Sequence, residues 1–403
     1  MKYPSPWKDR VTWIVGITTT LGMTSQSAVS WIVDALTKSG GMGVQDASLM
    51  ATVELVAMGA TMLLLAPLIP RLPHKALVLT GLAVALAAQG ASSAVHGVPA
   101  MGASRALSGI AFGAIYAVAT ASGAAAENPE RAYAIGASIN MVLGMALNPP
   151  LGFGSQHAGQ VGVFAALAGY CLLLGLPLVF IRFPRPRPLA SAAGPMSETP
   201  KGRSLRPICV LLVMGLFAIA TNGVYVFFVS TAARVGLSGT DLGTKLILVT
   251  AGAALGTALA GSSGQWAAKR LGWLWKRPWR GTPLFLSMIA MGAACAALVD
   301  AHSAVMFLAT FTLWCIIYWI AYTLILGLAV AVDAPGRLAA AAGAVLILLN
   351  GLGSAVAGYF AAHFGDHSFA LVALVTCSAG GLAGLFLDRS LERTSSLSSV
   401  RAI

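Results

Sequence analysis

Twelve long apolar stretches follow one another along this chain, and they decide what it can fold into. A helix needs about 20 mostly apolar residues to cross the hydrocarbon core of a bilayer, and only helices or closed barrels satisfy their backbone polar groups there. The stretches are Val11–Val33, Ala47–Ile69, Ala76–Val95, Pro99–Ser122, Tyr133–Phe153, Val161–Ile181, Pro207–Ser230, Leu242–Ser262, Thr282–Leu298, Ala304–Val330, Leu338–Phe360 and Phe369–Leu387. Charged residues make up only 9% of the chain, against about 25% in soluble domains. We predict an all-α polytopic membrane protein with twelve transmembrane helices.

A repeat divides the chain into halves. Glu127–Gly152 and Asp333–Gly358 each read as a charged, proline-containing loop followed by a long apolar helix, and they begin 206 residues apart. Matching units half a chain apart predict two pseudo-symmetric six-helix bundles, an arrangement typical of transporters. The predicted divisions are an N-terminal bundle over 1–181, a cytoplasmic linker over 182–206, a C-terminal bundle over 207–388 and a cytoplasmic tail over 389–403. The linker is basic and rich in Pro and Ser.

The basic residues indicate an orientation. With both termini in the cytoplasm, the cytoplasmic side holds 21 of the 25 Lys and Arg residues, as the positive-inside rule requires. The four others are Lys38, Arg105, Arg234 and Lys245. Because the net charge of +12 is spread over many short loops, it favours a lipid bilayer and not a nucleic acid as the partner. We expect a multi-pass protein of the cell (inner, cytoplasmic) membrane, and a monomer.

Helix 4 and the loop after helix 2 carry family motifs. Arg105, Gly109 and Gly113 are spaced as in an R-x-x-x-G-x-x-x-G element, and the loop before helix 3 keeps Arg71 and a basic end. With twelve helices in two related halves, the chain resembles the major facilitator superfamily over nearly its whole length. The resemblance implies a secondary active transporter of a small molecule that works by alternating access, without a cofactor and without enzymatic activity.

Helix 5 carries a third motif. The run from Gly144 through Asn148-Pro149 to Gly152 is similar to the G-x-x-x-G-P-x-x-G-G stretch of exporters in the same family. It keeps open the alternative that the chain is an antiporter exchanging amphipathic compounds or drugs for protons. A rival outside transport is a transporter-like receptor that binds its ligand without moving it, and another is a membrane enzyme or lipid-handling protein.

Four polar residues fall at similar depth within the apolar stretches. They are Gln26 in helix 1, Glu54 in helix 2, Arg105 in helix 4 and Asn222 in helix 7. A charge at such depth costs a few kcal/mol, so it is expected to have a partner or to face a cavity. We predict substrate binding by Arg105, Gln26 and Asn222, with an organic anion favoured by the arginine. A snorkelling or purely structural arginine is the alternative.

Within this layer, Glu54 and Arg105 are expected to form an ion pair. Protonation of Glu54 would break the pair, so we predict that Glu54 couples transport to protons, with Asp34 near the mouth of helix 1 as a second proton-coupling candidate. A permanent salt bridge for Glu54 and an interfacial place for Asp34 are the structural alternatives.

The second half offers aromatic side chains. Trp314 and Tyr318 in helix 10 lie four residues apart on one helical face. Two rings there are suited to stack on an apolar or unsaturated part of a substrate, and packing is the alternative. We predict both as substrate-binding residues.

Small residues line helices 5 and 8. Gly144 and Asn148 in helix 5, and Gly252 and Gly256 in helix 8, recur every four residues. Such stripes let helices approach closely, so these four are predicted at the interface between the moving halves. No phosphate-binding loop and no Cys or His ligand spacing is found in the sequence; we therefore expect neither ATP-driven pumping, nor a metal site, nor a catalytic residue.

Overall fold

The structure is a computed structural model that describes residues 10–124, 129–181, 183, 205–251, 281–332, 337–365 and 367–400. Within these ranges the regular structure is helical. The helices are α1 (Arg10–Ser27), α2 (Val29–Lys38), α3 (Val44–Leu65), α4 (His74–Ala94), α5 (Val98–Ala124), α6 (Pro129–Phe180), α7 (Arg206–Tyr225), α8 (Phe228–Arg234), α9 (described over 239–251), α10 (Gly281–Val299), α11 (Ala304–Val332), α12 (Arg337–Phe364) and α13 (Ser368–Val400). A 3₁₀ turn covers Ile69–Arg71.

Nine helices in the described part of the chain are long and apolar enough to cross a membrane. They correspond to ten of the predicted spans, because α6 joins the predicted fifth and sixth spans through Gly159, whose backbone is not helical. The predicted first span is interrupted at Ala28, between α1 and α2. The predicted eighth span, 242–262, begins in α9 and continues outside the described residues.

The described residues group into two compact units. The first lies within Met1–Pro195 and Val226–Leu248, and the second within Met196–Tyr225 and Val249–Ile403. Residues 226–248, which the sequence assigns to the C-terminal bundle, therefore make most of their contacts with the first unit. The division into bundles at 181, 207 and 388 stays a prediction.

Two glycines bring α5 against α3 in the first unit. A β-carbon at Gly109 would overlap the backbone oxygen of Glu54, and one at Gly113 would lie 2.5 Å from the backbone oxygen of Met58. Only glycine permits this approach, because contacts this short leave no room for a side chain. The R-x-x-x-G-x-x-x-G spacing therefore places Arg105 one turn before the point of closest approach, beside Glu54.

A sharp bend in α6 closes one end of the first unit. Gly159 has a φ of +53°, and a β-carbon there would come within 2.6 Å of the Ser39 hydroxyl. The left-handed conformation and the crowding both require glycine. The bend lies at the end of the unit where α2 and α4 end and where α3 and α5 begin, which we call the α2–α4 end.

The second unit is built from α7 and α10–α13. Its α7 packs closely on α12, since a β-carbon at Gly353 would lie 2.7 Å from the backbone oxygen of Ile219. The backbone amide of Gly281, the first described residue of α10, donates to a carboxylate oxygen of Asp388 in α13 over 2.8 Å. This contact joins α10 to α13.

From the tight α3–α5 contact we predict that the same Gly→Ala substitution lowers stability at Gly109 but not at Gly90. Gly109→Ala forces the helices apart and should cost about 1–3 kcal/mol of stability. Gly90→Ala in α4 is the control, because a β-carbon there meets no described atom within 4 Å; it should be neutral or stabilise by up to about 1 kcal/mol through helix propensity. Thermal unfolding of the purified protein in detergent measures both. Equal melting temperatures for the two variants would contradict the packing described.

Candidate functional site

The centre of the first unit is a buried ion pair between α3 and α5. Arg105 is 0% exposed and Glu54 is 2% exposed. The Nη1 atom of Arg105 donates to both oxygens of the Glu54 carboxylate, over 3.3 Å to Oε1 and 3.5 Å to Oε2. Among the ion pairs between described residues, it is the one in which both side chains are buried.

The other terminal nitrogen of Arg105 is held by α4. Nη2 donates to Oε1 of Gln89 over 3.0 Å and to the backbone oxygen of Ala88 over 3.4 Å, and it contacts the Ser92 hydroxyl. The guanidinium carbon lies 4.6 Å from the centre of the Phe164 ring in α6. Nε has no hydrogen-bond partner among the described residues. Four helices therefore fix the position of one cation.

A second layer of hydrogen bonds supports these contacts. Gln89 Nε2 donates to the Ser108 hydroxyl over 3.1 Å, and the hydroxyls of Ser92 and Ser104 lie 2.8 Å apart. Both interactions join α4 to α5, on the helical face that carries Arg105. The orientation of Gln89 and Ser92 toward the guanidinium is thereby set by α5 itself.

The electrostatics of the pair follow from its burial. Two charges removed from water lose their hydration, and attraction in the protein interior compensates only while both partners are present and hydrogen bonded. Loss of one charge leaves the other unbalanced, at a cost of about 3–5 kcal/mol. Neutralising Glu54 would therefore leave Arg105 as a buried charge without its counter-ion.

Two other predicted residues of the first half lie outside this network. Asp34 pairs over 2.9 Å with Lys38, one turn further along α2, and the lysine is more than half exposed. The Oε1 atom of Gln26 is buried and has no hydrogen-bond partner among the described residues. The predicted polar layer therefore contains one assembled cluster, Glu54 with Arg105, while the roles of Gln26 and Asp34 stay predictions.

Asn222 in the second unit is engaged in helix packing. Its amide nitrogen donates over 2.7 Å to the backbone oxygen of Asn350 and over 2.8 Å to the Ser354 hydroxyl. Both acceptors lie in α12, and Asn222 is buried. The amide donors thus connect α7 with α12 in this conformation.

The predicted aromatic pair belongs to a longer row on α11. The rings of Trp314 and Tyr318 stack with centroids 5.4 Å apart, and the row extends to Phe311 on one side and Tyr322 on the other. The indole nitrogen of Trp314 donates to the Cys295 sulfur over 3.3 Å. Trp314 is buried and Tyr318 is half-buried, so the row offers an accessible ring beside enclosed ones.

The predicted interface residues are described only in helix 5. Asn148 accepts a hydrogen bond from the indole nitrogen of Trp31 in α2 over 3.2 Å, and a β-carbon at Gly144 would meet no described atom within 4 Å. Gly252 and Gly256 lie outside the described residues. Among the described residues α6 approaches α9 closely at Gly152, where a β-carbon would overlap the backbone of Gly239, and at Asn148, whose backbone oxygen would lie 2.6 Å from a β-carbon at Gly243.

Sequence reasoning missed the residues that surround the ion pair. Gln89 and Ser92 are three residues apart in helix 3, and Ser104 and Ser108 are four apart in helix 4, so each pair shares a helical face. Those spacings were a usable signal. Gln160 and Phe164 gave no such signal, because the sequence does not show that the bend at Gly159 brings them back over the cluster.

No three His, Cys, Asp or Glu side chains converge on a metal-sized site within the part of the chain that is described.

Comparison with known proteins gives the family. A profile of the Major Facilitator Superfamily matches residues 13–358. The fold is similar to that of the nucleoside transporter NupG (TM-score 0.64, 13% identity, 95% of this chain and 100% of that one) and of a D-xylose-proton symporter (TM-score 0.66, 14% identity, 94% and 96%). No curated protein sequence matches the chain. The chain belongs to the major facilitator superfamily and is a multi-pass membrane transporter, not an enzyme.

Proposed function

We propose that this transporter moves a small organic anion together with a proton, and that the Glu54–Arg105 pair is the coupling element. The observation that carries the proposal is the complete burial of both charges in one contact of 3.3 Å. Such a pair is costly to place between membrane-spanning helices. A structural role alone would be served equally well by apolar side chains, which favours a function for the charges themselves.

The coupling follows from charge balance at Arg105. A proton that adds to a carboxylate oxygen of Glu54 makes this residue neutral, and Arg105 then lacks a counter-ion. A substrate carboxylate takes that place, since the planar guanidinium binds carboxylates through two parallel hydrogen bonds. Proton and anion are bound together, and release of either one favours release of the other.

Access to Arg105 requires a change of conformation. In the structure its terminal nitrogens are occupied by Glu54 and by the α4 groups of Ala88, Gln89 and Ser92. The described conformation therefore represents, in this proposal, a substrate-free and deprotonated state. Alternating access, the mode of transport in this fold, is the conformational change that would open a path to the guanidinium in this proposal.

The aromatic row of α11 suits an apolar part of the solute. Tyr318 is half-buried and stacks between Trp314 and Tyr322, and the accessible part of its ring is suited to contact an apolar or planar group of the solute. We propose Trp314 and Tyr318 as substrate-binding residues and assign Asn222 to the same solute only if α7 and α12 separate.

One of the proteins with a similar fold is a D-xylose-proton symporter, and this supports proton coupling within the fold without indicating this chain's substrate.

The proposed orientation has both termini in the cytoplasm and the protein in the cell membrane. It rests on the concentration of Lys and Arg in alternate loops. A reporter that is active only in the cytoplasm should be active when fused after Ser191 and inactive when fused near His157. An active fusion near His157 would contradict the orientation.

The substrate class is tested first by binding. Purified protein is screened by thermal shift against a panel of organic acids and cationic amphipaths at two pH values, because ligands raise the melting temperature by mass action. We expect aromatic or unsaturated carboxylates to bind, and more tightly at the lower pH. Arg105→Lys should weaken their affinity by about tenfold or more, since it loses the two-pronged contact. Hits confined to cationic amphipaths would favour the antiporter suggested by the helix 5 motif.

The coupling role is tested by transport in liposomes. With the carboxylate found in the screen, Glu54→Gln should retain substrate exchange at equal pH, because glutamine mimics the protonated acid. It should lose accumulation driven by a pH gradient. Asp241→Asn is the matched control, because Asp241 is exposed and pairs with Lys245 at the surface; its accumulation should equal that of the wild type. Normal pH-driven accumulation by Glu54→Gln would refute the proton hypothesis.

A further inference from the structure

Gln160 lies directly after the bend of α6, at the α2–α4 end of the first unit. The left-handed backbone of Gly159 turns the chain so that Gln160 points into the bundle, where it is 5% exposed. Its backbone amide donates to the Ser39 hydroxyl over 2.7 Å. A glutamine at a helix junction usually faces water. A buried glutamine needs hydrogen-bond partners within the protein.

The side chain of Gln160 binds the last turn of α4. Its amide nitrogen donates to the backbone oxygens of Ser92, over 2.8 Å, and of Val95, over 3.3 Å. The last carbonyls of a helix have no partner within the helix. Gln160 therefore holds the end of α4 against α6 by two hydrogen bonds from a single group.

Ser92 connects this contact to the ion pair. Its backbone oxygen accepts from Gln160, while its hydroxyl contacts Nη2 of Arg105 and lies 2.8 Å from the Ser104 hydroxyl. The hydroxyl is carried by the same residue whose carbonyl Gln160 fixes. A shift of the α4 end would therefore move one of the groups that hold the guanidinium toward Glu54.

We infer that Gln160 is a positioning residue for the coupling pair, and that it acts through Ser92 to keep Arg105 aligned with Glu54. In the transport cycle, which rests on the function proposed above, release of this contact would accompany release of Arg105 from the α4 groups. The competing explanation is that Gln160 only closes the end of α4. The two differ in what happens at the guanidinium when Gln160 is replaced.

The test measures hydrogen exchange at the Arg105 guanidinium by NMR, in the absence of substrate. The protein is labelled with ¹⁵N-arginine, placed in lipid nanodiscs, and its guanidinium resonances are followed by NMR after transfer to D₂O. Hydrogens of a buried, hydrogen-bonded guanidinium exchange slowly, whereas exposed ones exchange at once. The Arg105 resonances are assigned by their loss in Arg105→Lys.

Gln160→Met keeps the length of the side chain and removes both donors. We expect its Arg105 hydrogens to exchange about tenfold faster or more, because an unsatisfied buried acceptor opens the end of α4. Glu54→Gln should accelerate the exchange as well, by removing the charged partner. Gln156→Met is the control: Gln156 lies one turn earlier and contacts Thr240 instead of α4, so exchange at Arg105 should be unchanged.

A second variant covers the case in which Gln160→Met does not fold. Gln160→Asn keeps the amide but shortens it by one methylene, so it should give the same acceleration with less loss of packing. If either folded variant leaves the Arg105 exchange rate at the wild-type value, the inference is wrong and Gln160 only closes α4. Because no substrate is present, this result is independent of whether Glu54→Gln uncouples transport.

Discussion

One buried ion pair governs the first unit of this transporter. Arg105 and Glu54 are both removed from solvent, on helices that are long and apolar enough to cross a membrane. A charge in that position requires a partner, hydrogen bonds to its remaining donors and helices close enough to supply them. The surrounding structure meets these needs in turn: α3 supplies the carboxylate, α4 supplies the acceptors for Nη2, and α6 supplies the Phe164 ring.

Glycine spacing makes this arrangement possible. Gly109 brings the backbone of α5 against α3 at Glu54 itself, and Gly159 bends α6 so that Gln160 reaches the end of α4. Neither glycine touches the guanidinium, yet each determines which groups can. A glycine has the same effect in the second unit, where Gly353 lets α12 approach α7. The polar contacts between helices therefore depend on close helix packing.

The sequence predicted the features that depend on the pattern of apolar residues and on the free-energy cost of an unpaired charge in lipid. Apolar stretches of membrane length predicted the helical membrane fold, and the shared depth of Glu54 and Arg105 predicted their contact, because neither charge is tolerated alone in lipid. It did not predict what depends on backbone geometry. Gly159 reads as an ordinary loop glycine, so the left-handed turn between the two helical parts of α6 and the position of Gln160 were not foreseen. The sequence also did not show that the amide donors of Asn222 contact α12 in this conformation, and its predicted role in substrate binding stays a prediction.

The most direct test of this account is a double-mutant cycle on thermal unfolding, using Arg105→Gln, Glu54→Gln and the double variant. If the two charges depend on each other, Arg105→Gln alone should lose about 3–5 kcal/mol of stability by leaving Glu54 unbalanced in a buried site. The double variant, which leaves no orphan charge, should then melt above Arg105→Gln. Additive losses, with the double variant melting below both single variants, would contradict the central claim that the pair is one energetically coupled unit.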